Sequence, residues 1–163
     1  MRIFNLIAVV MFATLFFLAP AFAQRADDSG PALEFIRKTG MSKNFALLVG
    51  QSSVQTQTFK IIAANHGVDG AKNYLIAAMT KALPKYEGEW NRVMARIWAK
   101  HLSIEEMNSL TTLGQRSPFF QKLMAAQEKV GPEMQAELQP LLNSAVADSI
   151  AIAFEESSVP KTK

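Results

Sequence analysis

The chain has 163 residues, no cysteine, and 17 Lys and Arg against 14 Asp and Glu, a net charge of +3. Without a thiol it carries no disulfide scaffold, no thiol nucleophile and no thiolate metal site. The small basic excess is spread along the chain, with Arg37-Lys38 the only adjacent basic pair, whereas nucleic-acid binding asks for a clustered basic face.

Residues 1–23 read as a cleavable secretory signal peptide. Arg2 supplies the cationic end, Ile3 to Ala19 is an apolar core broken only by Asn5 and Thr14, and Ala21-Phe22-Ala23 is a small-x-small cleavage site. Pro20 stops the apolar helix, because it lacks an amide proton and clashes with the preceding turn. The cut is expected between Ala23 and Gln24, releasing the chain to the periplasm or the outside. The apolar stretch is short for an uncleaved anchor, which needs about 20 apolar residues. No second segment after it is long and apolar enough to span a membrane. Cleaving 23 of the 163 residues leaves 140, enough for one domain with an ordinary apolar core.

Residues 24–30 are polar and form a flexible lead-in. Pro31 suits the first turn of a helix, where its missing amide proton costs nothing. This helix runs to about Lys38 and buries Leu33, Ile36 and Phe35. Thr39-Gly40 ends it. Ser42 is a cap for a longer second helix with Phe45, Leu48, Val49, Ser52, Phe59, Ile62 and Ala63 near one face. Residues 51–58 are polar and leave room for a local break. Gly67 closes this helix as a left-handed cap. Asp69 caps a third helix, with Tyr74, Leu75, Ala78, Met79 and Ala82 inward, and Pro84 stops it.

A fourth helix, from about Tyr86 to Lys100, sets Trp90, Met94, Ile97, Trp98 and His101 on one stripe. Ser103 and Glu106 then stand at capping-box spacing, so each can satisfy the other's backbone amide. The fifth helix turns Ile104, Met107, Leu110 and Thr111 inward and ends near Gly114. Ser117-Pro118 starts a sixth, apolar along Phe119, Phe120, Leu123 and Met124. Gly131-Pro132 divides it from a last helix bearing Met134, Leu138, Leu141, Leu142, Ala145, Val146, Ile150 and Phe154, which Pro140 should kink or split. Residues 157–163 form a polar, flexible tail. Period-two alternation is scarce. The pattern is that of one irregular all-α bundle of about six or seven helices over residues 31–156.

Residues 98–139 carry a family resemblance. Trp98-Ala99-Lys100-His101-Leu102-Ser103-Ile104-Glu105-Glu106-Met107, then Ser117-Pro118 and Gln121-Lys122-Leu123, resemble the bacterial exported family called domain of unknown function 2059. Residues 32–40 resemble the short helix ending in Thr-Gly that often opens such proteins. The chain is similar to a divergent member: Leu102 stands where Phe is usual, Leu113-Gly114 replaces an aromatic pair, and Phe120 stands where Gly is common. The resemblance implies a helical periplasmic or secreted protein and supplies no catalytic residues.

Reactive constellations are scarce. His101 lies four residues before Glu105, a spacing that serves a metal only on a continuous helix. The Ser103 cap interrupts that helix, so a packed, hydrogen-bonded histidine is the better reading. His66, beside Gly67, reads as a helix-end residue facing carbonyls. Glu87 and Glu89 flank Trp90, but residues two apart on a helix do not face a common point. No serine has a Gly-x-Ser-x-Gly setting, and no Gly-rich phosphate loop is present. Met41, Met79, Met94, Met107, Met124 and Met134 sit singly on apolar faces as core filler, not as a copper-binding cluster.

The expectation is an exported, non-catalytic helical protein that binds an envelope partner or an apolar ligand, without cofactor, metal or nucleic acid. The alternative is an envelope hydrolase using Glu87, Glu89, Glu105 or Glu106 near Trp90. A third is a peripheral membrane-surface protein. Its last helix is poor in Lys and Arg, the reverse of a basic interfacial helix.

Overall fold

The computed structural model describes residues 30–158. The expected signal peptide, most of the lead-in and the end of the tail lie outside the described residues. Among those described, the fold is an all-α bundle without strands. The helices are α1 (Pro31–Lys38), α2 (Asn44–Val54), α3 (Gln57–Ala82), α4 (Pro84–Ala99), α5 (Ile104–Leu113) and α6 (Phe120–Ser158), with short 3-10 turns at Met41–Lys43 and Gly114–Arg116.

α1 begins at Pro31 as expected and sinks Phe35 and Ile36 completely. Ser42 does not cap the next helix. It sits in a 3-10 turn and donates its hydroxyl to the Ile36 carbonyl at 3.4 Å. The cap lies further on: Thr56 accepts from the amide of Phe59 at 3.2 Å and starts α3, so the polar segment does break the expected long helix. Gly67 takes φ 73° and ψ 163°. The positive φ is the anticipated glycine conformation, and with its extended ψ it ends one helical segment of α3 in a kink, after which a second segment resumes at once. Asp69 is no cap; it is exposed and faces Lys72 at 3.8 Å.

Between α3 and α4 the backbone hardly leaves the helical region. Leu83 sits at φ −63° and ψ −35°, and Pro84 takes the first position of α4. The two helices form a rod that runs antiparallel to α6. The ion pairs show the register: Lys81 meets Glu156 at 2.5 Å, Lys85 meets Asp148 at 2.9 Å, Arg96 meets Glu137, and Lys100 meets Glu133 at 2.8 Å. As the number rises on the rod it falls on α6.

α6 is one helix where two were expected. Helical backbone passes through Gly131, Pro132 and Pro140. Both prolines are exposed, as are Glu128 and Ala136, whose carbonyls they leave without an amide donor. At exposed positions such carbonyls can bond water instead, and α6 stays pinned by Val130 and Leu138, which are buried in the core.

That core joins α1, α2, α4, α5 and α6. Phe45 stacks on Trp90 with ring centroids 4.6 Å apart, and Phe35 meets Trp98 edge-on at 6.0 Å. Both indole N–H groups are buried without an acceptor. Each costs about 1–3 kcal/mol. Burial of each large ring, on the order of 200 Å² at about 25 cal/mol per Å², outweighs it. A second cluster, with Phe59, Ile62, Leu75 and Ile150, fills the space between α3 and the end of α6. Several residues placed inward by periodicity are exposed, notably Met124, Phe154, Leu48 and Ile104. For Ile104 the cause is local. Glu106 is turned toward α6 by Lys122, and a residue two positions away points about 200° round the helix.

Candidate functional site

The capping box is formed as its spacing demands. Ser103 Oγ accepts from the Glu106 amide at 3.3 Å, and Glu106 accepts from the Ser103 amide at 2.8 Å. Lys122 of α6 binds the same carboxylate at 2.7 Å. The lysine and the capping amide hold the Glu106 carboxyl below the usual range. Ser117 Oγ accepts from the Phe119 amide at 3.2 Å, and α6 starts at Phe120, so Pro118 precedes the helix. Ser103, Glu106, Ser117 and Lys122 therefore act as caps and cross-braces.

His101 is partly buried just after α4, with Nε2 2.9 Å from Glu133 Oε1. Glu133 also accepts from Lys100, and together these partners lower its pKa. Glu105 is exposed in the first turn of α5, across the Ser103 cap from His101. Among the described residues no three His, Asp or Glu side chains are grouped to hold a metal. His66 meets Tyr74 ring to edge at 5.1 Å.

The four carboxylates considered for hydrolysis belong to two places. Glu87 and Glu89 stand early on α4, Glu89 paired with Arg92 at 2.7 Å. Glu105 and Glu106 stand beyond its far end. From Glu89 to Ala99 is about 15 Å of helix, against about 5–9.5 Å between the carboxyl groups of a glycosidase pair. Nearby, Tyr86 donates to Asp148 at 2.5 Å and Lys85 donates to it at 2.9 Å. These two bonds, Tyr86 foremost, lower the Asp148 pKa and raise those of Tyr86 and Lys85.

The feature most able to engage another molecule is apolar. A groove of about 380 Å³ runs between α2 and the α3–α4 junction, lined by Ala46, Ile76, Met79, Leu83 and Pro84, with Thr80 and Glu87 at its polar edge. Leu47, next after the lining residue Ala46 on α2, is 62% exposed, and Ile76 is 63% exposed. Residues 44–59 contain no Asp, Glu, Lys or Arg. The outward side of α2 is therefore Asn44, Leu47, Leu48 and Gln51, a solvent-facing helix face without charge. Periodicity missed this face because it assigned Leu48 to the core and passed over Leu47. The signal available in the sequence was the charge-free run itself. A smaller cleft of about 260 Å³ lies where α1, α5 and α6 meet, with Leu110, Phe120 and Leu123 below Lys38 and Gln115.

Comparison with family models, with curated proteins and with solved structures found no match.

Proposed function

We propose that the chain is an exported helical binding protein of the cell envelope that works through the α2–α3 face, and that it is a divergent relative of the domain of unknown function 2059 family. The observation that carries this reading is the uncharged α2 face beside an apolar groove. Exposed large apolar groups cost solubility, and a contiguous set of them marks a contact surface. Charge depletion at its centre is the composition of an interface core. The groove is open, so it would leave much of a small ligand wet. Small-molecule pockets bury most of their ligand. An open groove better suits side chains projecting from a protein partner, whose remaining surface stays in water. Export rests on residues 1–23, and the catalytic reading has no converging carboxylates to support it.

The test uses Nile red, a neutral dye that brightens on apolar surfaces. At about 1 μM protein, where low-affinity self-association is negligible, the exported chain should enhance its emission. Ile76→Glu should remove most of that enhancement while leaving the far-ultraviolet circular dichroism unchanged. Undiminished dye binding by Ile76→Glu would sink the reading. Amino-terminal sequencing of the periplasmic protein should begin at Gln24; an intact Met1 on a membrane-bound product would refute the export half.

A further inference from the structure

We propose that the partner seated on the α2–α3 face is a second copy of this chain, related by a two-fold axis; this rests on the binding reading above. Three properties of the face point to its own image. The first is shape. Leu47, exposed, follows Ala46 on α2, and Ala46 lines the groove with Ile76, Met79 and Leu83, so a projection adjoins the recess along the helix. A two-fold interface uses one patch twice, so it needs a projection and a recess side by side. Here the projection of each copy enters the groove of the other.

The second property is the centre. A patch bearing one sign of charge repels its own copy, whereas the outward face of α2 has none. The third is the rim, which carries both signs. Lys43, exposed at the start of α2, stands three residues before the lining residue Ala46, on the same side of the helix. Glu87 stands on the α4 side of the groove. A partner of uniform charge would be matched by a rim of uniform opposite charge. A rim with a lysine on one wall and a carboxylate on the other is matched by the same rim turned through a half rotation, which sets Lys43 of one copy toward Glu87 of the second. The contact is built from one helix ridge and one short groove, so it belongs at the small, reversible end of interface sizes.

The experiment is sedimentation velocity of the exported chain from about 1 to about 500 μM, the range in which a small interface dissociates. The wild type should pass from one chain to two across this range. Leu47→Glu and Ile76→Glu each place a carboxylate against the apolar centre in both copies, and each should remain a single chain throughout. Both positions are exposed, so circular dichroism and the urea transition should not change. Ile104→Glu replaces another exposed apolar residue, beyond the far end of α4, and should dimerise like wild type. Glu87→Lys should weaken the dimer about tenfold by opposing like charges across the rim, and Lys43→Glu combined with Glu87→Lys should restore it. The proposal is overturned if the wild type stays a single chain at every concentration, or if Leu47→Glu and Ile76→Glu still dimerise. A single-chain wild type that still brightens Nile red, and loses this with Ile76→Glu, leaves the binding reading standing with another occupant. Loss of both signals removes both.

Discussion

Pro132→Ala should make the protein more stable, and the sign of that change is the decisive quantity. Pro132 lies inside α6, with helical backbone on both sides. Its ring excludes the amide that would bond the Glu128 carbonyl. In a helix interior proline is about 3 kcal/mol less favourable than alanine. Glu128 is exposed, so water can recover part of that loss, and a gain of about 1–3 kcal/mol is expected. With a urea slope of about 1.5 kcal/mol per molar, the midpoint should rise by roughly 0.7–2 M. With Pro132→Ala in place, so that no proline ring crowds the new Cβ, Gly131→Ala should add about 0.5–1 kcal/mol more, because beyond its chain neighbours the added methyl meets nothing within 4 Å and alanine is the better helix former. The assay is urea unfolding followed by far-ultraviolet circular dichroism and, independently, by tryptophan fluorescence. If residues 131–132 were instead a break between two helices, Pro132 would occupy a first helical position, and alanine there would lose about 0.4–1 kcal/mol by loosening the unfolded chain. A lower midpoint for Pro132→Ala therefore refutes a continuous α6.

Gly67→Ala should act in the opposite direction to Gly131→Ala. At φ 73° and ψ 163° a side chain is strained although its Cβ has open space, so a loss of about 1–3 kcal/mol is expected, read as a lowered urea midpoint; an unchanged midpoint would show that the chain does not bend there. Acid should weaken the fold through carboxylates whose pKa values are depressed, among them Asp148, Glu133 and Glu106. Their contribution is fully present above their unfolded values, near pH 4, and is lost as pH falls through the lower folded values. Thermal midpoints should be level from about pH 7 to about pH 5 and decline below about pH 4. Asp148→Asn, whose loss at neutral pH should stay under about 1 kcal/mol because the site is half open to water, should make that acid decline shallower; parallel declines would show that Asp148 contributes nothing to it.

What could be read from the sequence was what neighbours in sequence decide between themselves. The Pro31 start, the Ser103–Glu106 box and the Trp90–Trp98 stripe need only residues a turn or two apart, and each formed. The same local rules failed at Gly131-Pro132 because the deciding groups are remote. Val130, Leu138 and Ala145 bury into a core supplied by α1, α2, α4 and α5, and carrying α6 straight through retains all of that burial. Fully burying even one Val or Leu side chain stabilises by about 1.5–3 kcal/mol, so a few such anchors offset the cost of a proline. The ion-pair ladder was hidden for a related reason. Lys81 and Glu156 are 75 positions apart, and nothing local states that α6 folds back along the α3–α4 rod in that register. The face proposed for docking is legible only as a segment, the charge-free run 44–59, and not as a side of the helix. Leu47 and Leu48 look alike as letters beside Phe45 and Val49, and helical spacing lets either enter the core. Only after Phe45 has stacked on Trp90 and Val49 has closed against the core does it follow which side of α2 is left over. A binding surface made of apolar groups is what remains when the core has taken its share, so it can be located only once that core is known.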